Sequence, residues 1–385
     1  MLNFAEEEKS PAIIKVVGVG GAGMNAVERM CHLRLQGVEL IAMNTDEQVL
    51  RRSSAHQKVH LGTKLTRGMG AGAKPEIGAQ AAMEDREKIM NVLKGADMVF
   101  ITAGMGGGTG TGAAPIVADV ARELKALTVG VITLPFKAEG QKKMEIARAG
   151  QANMREKVDT LITIPNDAIF KIIDKTTPVK VAFKHIDDIL ARAVMGISDI
   201  INSTGVVNVD FADVKTVMSN NGDAVIGLGE GSGENRVQEA IQNAIHHPLL
   251  DGRSIDGASA VLINVVASED ISMYEYYEIQ EKIHEMVSPD ATIIVGFTED
   301  SSKVDKLAVT VIATGFRKIQ NAKSNAPEKE KKEEDSKVVH NITPLRRNGT
   351  ENTPMFPGMQ QGLKFPNIEP SIESLDIPTF LRRKK

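Results

Sequence analysis

Met98-Val-Phe-Ile-Thr-Ala-Gly-Met-Gly-Gly-Gly-Thr-Gly-Thr-Gly-Ala-Ala-Pro115 decides the fold. An apolar run, Met98 to Ile101, enters this stretch. A helix-forming run, Ala113 to Leu127, leaves it, with Pro115 near the first turn, where a missing N–H carries no penalty. The pattern predicts a strand, a glycine loop and a helix start. Glycines strip the loop of side chains and free its φ angles. Backbone N–H groups can then converge on an anion, and the helix N-terminus adds its dipole. Thr109 and Thr111 supply hydroxyl donors among the bare amides. A flexible linker or a helix-packing turn is the competing reading, but linkers are not framed by a buried strand and a proline-started helix.

The same grammar repeats on either side. Ile13-Ile-Lys-Val-Val17 reads as a buried strand running into Gly18-Val-Gly-Gly-Ala-Gly23, with a helix from Met24 to Leu33. A strand, Val38 to Met43, ends in Asn44-Thr-Asp46. The loop Gly68-Met-Gly-Ala-Gly-Ala73 precedes a helix over 79–93. A strand at 127–134, a helix at 141–157 and a strand at 160–164 follow. Strands alternating with helices predict a parallel sheet covered on both faces. Phe183, Ile186, Leu190, Ala193, Val194, Ile197 and Ile201 recur at helical spacing and predict one long helix. Beyond it lie a strand from Asp223, a helix at 235–244, a strand at 260–266, a helix at 274–287 and strands at 292–296 and 306–313. The fold class expected is α/β: a Rossmann-like parallel sheet, a long central helix and a smaller C-terminal α/β domain.

After Gly315 the composition changes. Residues 321–374 carry little apolar periodicity and a charged block, Glu328-Lys-Glu-Lys-Lys-Glu-Glu-Asp335, which predicts a disordered tether; a helical charged rod over 326–338 is the alternative. An apolar pattern returns only at Leu375-Asp-Ile-Pro-Thr-Phe-Leu381.

A chain of 385 residues with 42% hydrophobic content is long enough for two domains and a tail. A net charge of −4 argues against a general nucleic-acid binder. No apolar run is long enough to span a membrane, and Met1 to Ser10 lacks a secretory signal pattern. A single cysteine, Cys31, excludes internal disulfides, fits the cytosol and reads as a core residue. His56 and His60 lie four apart without further ligands, so no metal site is expected from the protein's own side chains.

Gly18, Gly20 and Gly23 satisfy G-x-G-x-x-G between a strand and a helix, and Asp46 follows about twenty residues on, the dinucleotide fingerprint in its proper context. Taken alone it points to an NAD(P)-binding oxidoreductase. A dinucleotide needs one such loop for one pyrophosphate, however, and this chain carries three, which suits a full triphosphate better.

Gly106-Gly-Gly-Thr-Gly-Thr-Gly112, flanked by Ala103-Gly-Met105 and Ala113-Ala-Pro115, resembles the signature loop of the tubulin/FtsZ family in its FtsZ version. No Gly-Lys-Ser/Thr ends it, so it is not a Walker loop. The resemblance covers roughly residues 11–318 and the terminal peptide. It implies a GTPase using GTP/GDP and Mg²⁺. Gly20, Gly21, Ala22, Gly23, Met24 and Asn25 would approach the α- and β-phosphates, and Asn44 and Asp46 the phosphate and ribose edge. Ala71, Gly72 and Ala73 would face the γ-phosphate. Gly107, Gly108, Thr109 and Gly110 would cradle the phosphates. Glu139, with Lys143 nearby, would bind the ribose hydroxyls. Asn166, Phe183 and Asp187 would hold guanine. A carboxylate accepts from guanine N1 and the 2-amino group together, which adenine cannot offer. By spacing alone, Asp187 reads equally well as a solvated helix face. The chain departs from the family at Lys143, where arginine is frequent, and at Lys74, where Asn is usual.

Asn208-Val-Asp-Phe-Ala-Asp-Val214 reads by itself as an N-cap, Asp210, and a first-turn acid, Asp213, of a further helix. By resemblance it is the catalytic loop, in which Asp210, Asp213 and Asn208 act on the nucleotide of the neighbouring subunit. Head-to-tail contact of unlike faces then generates filaments. The implied organisation is a flexible N-terminus (1–12), a GTP-binding domain (13–178), the central helix (179–203), a GTPase-activating domain (204–318), a disordered linker (319–374) and a docking peptide (375–385) for membrane-tether and regulatory proteins. The implied setting is the cytoplasmic division ring at mid-cell, with membrane contact indirect and no nucleic-acid partner. A GTP-gated scaffold without hydrolysis is the further alternative.

Overall fold

The computed structural model describes residues 12–33, 35, 37–202, 209–219, 222–250, 255 and 257–316. The docking peptide, the linker, the N-terminal segment and Asn208 all lie outside these residues. The first half runs β1 (Ile14–Val19), α1 (Gly20–Leu33), β2 (Val38–Asn44), α2 (Glu47–Arg51), β3 (Gln57–His60), α3 (Thr63–Thr66), α4 (Pro75–Glu84), α5 (Arg86–Leu93), β4 (Met98–Gly104), α6 (Thr109–Glu123), β5 (Leu127–Leu134), α7 (Gln141–Lys157) and β6 (Thr160–Pro165). The second runs α8 (Val179–Asn202), α9 (Phe211–Met218), β7 (Gly222–Ser232), α10 (Arg236–Ile245), β8 (Ala260–Ala267), α11 (Met273–His284), β9 (Thr292–Glu299) and β10 (Lys306–Thr314).

Ten strands form one sheet in the order β3-β2-β1-β4-β5-β6-β7-β10-β8-β9. The first six strands, in the order 3-2-1-4-5-6, are parallel and follow the doubly wound dinucleotide-fold arrangement. Their near-continuous apolar runs match burial on both faces. Val16, Leu40, Phe100 and Val129 point into one core with α1 and α8, while Val17, Ile41, Val99 and Ile101 point into the other with α4, α5 and α6. The sheet passes into its second region through only three paired positions of β6 and β7. β10 is antiparallel to both its neighbours there. α10 and α11 cover the outer face of this region.

Local expectations change at several points; α1, for one, begins at Gly20 rather than Met24. The signature helix begins at Thr109, four residues before Ala113, so Pro115 lies inside it, past the first turn. Gly110 and Gly112 are therefore helical, and their missing side chains serve packing. A Cβ on Gly112 would lie 1.9 Å from the carbonyl oxygen of Pro75, at the start of α4. The helix expected over 79–93 is two helices broken at Asp85. That carboxylate is buried and accepts from the N–H of Gly62 at 2.7 Å, which turns the chain.

α8 has 24 residues and is about 36 Å long. It starts on the side where β6 ends, which we call the carboxyl edge of the sheet. It finishes where Asn202 Nδ2 donates to the carbonyl of Gly37, one residue before β2 begins, on the amino edge. Among the described residues no helix is long and apolar enough to cross a membrane.

Candidate functional site

In an open α/β sheet, ligands bind outside the carboxyl ends of strands where the strand order reverses direction. Here that point lies between β1 and β4, and two glycine loops leave from those two strands. They meet backbone to backbone. A Cβ on Gly20 (φ +73°) would lie 2.8 Å from the amide nitrogen of Gly110, and one on Gly104 would lie 2.6 Å from Ala22 Cβ. The third loop closes against them, since a Cβ on Gly108 would lie 2.8 Å from Ala71 Cβ and 2.9 Å from the nitrogen of Lys74. Each loop also has a glycine whose Cβ would meet nothing within 4 Å: Gly21, Gly72 and Gly107. Packed positions and open positions alternate, which is how three loops make one cradle with a bare inner wall.

Because α6 begins at Thr109, its first unpaired N–H groups lie at the cradle together with those of α1. Two helix N-termini there offer donors and dipoles to an anion, with no acidic residue in either first turn to repel it. Gly23 and Met24 are buried beneath, whereas Ala22, Asn25 and Ala73 are exposed. Ala73 adopts a left-handed φ of +60° without being glycine, a conformation that must be held by its surroundings.

Thr45 ties the loops together, a role the sequence reading missed. Its hydroxyl lies 2.6 Å from that of Thr109, and its carbonyl accepts from Gly70 N at 3.1 Å. The hydroxyl at a strand's end, between two residues already suspected, was the available signal. Asn44 is buried, with its Oδ1 accepting from Asp46 N at 3.2 Å and its Nδ2 on Met24 Sδ. Asp46 Oδ1 caps α2, accepting from Gln48 N at 2.9 Å and Val49 N at 3.1 Å. Both carboxamide and carboxylate thus brace the loop from behind.

At the other end of the crevice, the loops after β5 and β6 are joined. The Asp167 carboxylate accepts from Lys137 N, and Phe136 packs its ring 5.5 Å from Phe170 and 5.8 Å from Phe183, edge-on to the latter. Phe136, unassigned in the sequence reading, also donates its N–H to Glu139 Oε1 at 2.9 Å. Glu139 Oε2 pairs with Lys143, whose stem covers Gly106. Lysine therefore keeps the local charge that arginine would bring, without its planar fork. Asn166 opens the short 3₁₀ turn Asn166–Lys171, and its Oδ1 is buried without a hydrogen-bond partner, an acceptor suited to a ligand donor. Phe183 and Asp187 are four apart on α8 and share a face. Burial pushes the Asp187 carboxyl up to about 7, with the charge of Asp188 adding and Arg29 opposing.

Asp210 and Asp213 are exposed and lie elsewhere. Val209 and Ile200, in the last turn of α8, line the same spot over Gly296, and the α9 carbonyl of Met218 accepts from Thr160, the first residue of β6. Both carboxylates therefore belong to the amino edge, near the far end of α8. Asp210 occupies the N-cap position of α9, yet its side chain makes no capping hydrogen bond. Among the described residues no three His, Cys, Asp or Glu side chains gather to hold a metal. His56 Nδ1 accepts from Leu40 N at 3.0 Å, a strand-bracing contact.

Comparison with known proteins agrees with this geometry. The GTPase-domain model of the Tubulin/FtsZ family matches residues 13–174, and the C-terminal-domain model of the FtsZ family matches residues 222–317. An FtsZ dimer from M. jannaschii is 45% identical, with 80% of this chain and 89% of that chain covered and a TM-score of 0.77. A point variant of the M. jannaschii protein gives 44%, 80%, 92% and 0.75. CetZ2 from Haloferax volcanii, solved as a GTPγS-bound protofilament, shares the fold at 20% identity, covering 79% of this chain and 93% of that chain with a TM-score of 0.66.

Proposed function

This chain belongs to the tubulin/FtsZ family and is a GTPase, and from that premise we propose that it polymerises head to tail and hydrolyses GTP only at the contact between subunits, as the ring-forming protein of bacterial division. One observation carries the reading. The glycine cradle is on the carboxyl edge of the sheet and Asp210 and Asp213 are on the amino edge, so no single chain can bring them to one phosphate. Stacking unlike edges brings the carboxylates of one subunit to the cradle of the next, and because such a contact does not close on itself it yields a filament. Supporting this, a related protein has been solved as a dimer and a more distant one as a protofilament.

The residues divide the work by position. Amides of α1 at Gly20 to Asn25 hold the α- and β-phosphates, those of Gly107 to Gly110, in the loop and first turn of α6, cradle the phosphates, and Ala71 to Ala73 face the γ-phosphate. Glu139 takes the ribose, while Asn166, Phe183 and Asp187 take guanine. Mg²⁺ bound together with the nucleotide would supply charge neutralisation there, since among the described residues no cluster of protein side chains gathers to hold it. Asp213 and Asp210 of the adjoining subunit orient the attacking water. Phosphoryl transfer is mainly positioning and charge stabilisation, so a site split between two chains is sufficient. Residues 375–385 dock membrane-tether and regulatory proteins, a reading that rests on Ile377, Pro378, Phe380 and Leu381 in the sequence.

Turnover per subunit should be negligible at dilution and rise above a critical concentration, in step with light scattering. Asp213→Ala should retain GTP and assembly while losing about two orders of magnitude in hydrolysis. Constant specific activity down to dilute monomer would overturn the split site. Assembly with GTP but without phosphate release in the unaltered chain would leave a gated scaffold.

A further inference from the structure

α1 and α8 pack side by side, and one ion pair crosses between them: Arg29 Nε donates to Asp188 Oδ1. Both side chains are about three-quarters buried, at 27% and 24% exposure, so the pair is shielded from screening by solvent. Asp187 and Asp188 are successive residues on α8, and successive side chains on a helix diverge by about 100°. Asp188 is turned to α1; Asp187 is turned to the stripe it shares with Phe183. On α1, Arg29 lies one turn beyond Asn25 and on the same face. The helix that opens the phosphate cradle thus carries, one turn later, the cation beside the two acidic residues of α8.

Resting on the reading of Asp187 as the guanine acceptor, we propose that Arg29 is a positioning residue for base selection. By holding Asp188, it neutralises the nearer carboxylate and is itself kept from Asp187, which stays available as the two-oxygen acceptor for the base. Without the guanidinium, two adjacent carboxylates repel and Asp187 no longer presents a stable anion to guanine. Without Asp188, the guanidinium turns to Asp187 and occupies the oxygens the base requires. The pair therefore contributes to the choice of nucleotide although neither member touches it.

The test is direct binding of GTP, ITP and ATP to the full-length, nucleotide-stripped protein at neutral pH. Guanine offers two donors to a carboxylate, hypoxanthine one and adenine N1 none, so loss of acceptor function grades as GTP, then ITP, then ATP. Arg29→Ala should weaken GTP about tenfold or more, ITP less, and leave ATP unchanged, the scale of a hydrogen bond to a charged group. Asp188→Asn should give the same graded loss, and stands in for Arg29→Ala if that variant does not fold. Arg29→Lys should recover part of the preference. The double variant Arg29→Ala/Asp188→Asn should recover most of it, since neither the extra anion nor the competing cation remains. Equal weakening of all three nucleotides, or a double variant no better than the singles, overturns the inference. Asp187→Ala separates the two levels: if it shows the graded loss and the Arg29 and Asp188 variants do not, base reading stands and the positioning role is wrong, whereas a uniform loss with Asp187→Ala removes both.

Discussion

In the proposed base-reading role, Asp187 couples nucleotide binding to pH. Its carboxyl is raised from 3.8 to about 7, first by burial and then by Asp188, with Arg29 pulling the other way. As the proposed guanine acceptor, Asp187 would be stabilised in its ionised form by the base, so that below pH 7 binding would expel a proton. The affinity for GTP should therefore rise between pH 6 and pH 8, by about tenfold, and then level off. Titration calorimetry in buffers of different ionisation enthalpy should detect the released proton, and a flat profile would show that Asp187 is not the acceptor. For folding the sign runs the other way. Between about 3.8 and 7 the folded chain holds a proton that the unfolded chain has released, so this residue's contribution to stability is lost as pH rises through that window. Asp187→Asn should raise the melting temperature of the nucleotide-free protein at pH 8 while weakening GTP. At this scale the glycines, Glu139, Asn166, Phe183 and Asp187 could be named from sequence as candidates, by resemblance. Thr45, Phe136 and Arg29 could not, because their roles depend on partners supplied by other elements.

Helices approach one another in this fold as closely as backbones allow, and the glycines divide accordingly. α4 and α6 touch through Gly112 and Gly78, where a Cβ would come within 1.9 and 2.3 Å of carbonyl oxygens of Pro75 and Gly108. Gly112→Ala should destabilise the protein by about 1–3 kcal/mol, since rigid backbone cannot yield to the added methyl. Gly107→Ala, where a Cβ meets nothing within 4 Å, should leave the melting temperature nearly unchanged and weaken GTP binding. Thermal unfolding with and without GTP distinguishes the two, and equal melting-temperature losses would refute the division into packing and cradle glycines. The sequence pattern placed β5 and α7 at their observed bounds because their apolar spacing is regular. It misplaced the start of α6 because glycine and threonine, poor helix formers, occupy its first turn. What favours that turn is contact with α4 and α1, a tertiary effect that outweighs local propensity. The break at Asp85 has a similar cause, a hydrogen bond to Gly62 across another element.

At the scale of the whole molecule, α8 is the spacer between the crevice proposed to bind the base and the edge that carries Asp210 and Asp213. Its 24 residues reach from the base-binding end to the edge carrying Asp210 and Asp213. If each subunit supplies half of two different sites, defects in opposite halves should complement. Asp213→Ala subunits, competent to bind GTP, mixed with Asp187→Ala subunits, weak in GTP binding but intact at the amino edge, should release phosphate faster than the sum of the two alone at limiting GTP. Additive rates across mixing ratios would argue that cradle and carboxylates act within one chain.

The sequence by itself determined the alternation of strand and helix, the three glycine loops, the long amphipathic helix and the family resemblance. The first three are written in local spacing, which hydrophobic period and glycine conformation make readable without knowledge of neighbours, and the resemblance in the residues of the signature loop. Only the tertiary structure decided that β1 and β4 lie side by side, so that their loops share one crevice. It also decided that Phe136 packs against Phe170 and Phe183 and that Arg29 meets Asp188 across 159 positions of chain. Asp210 and Asp213 lie on the edge opposite the cradle for the same kind of reason. These relations depend on which strands become neighbours and how far a helix carries the chain before it turns, and local composition has no means of encoding either.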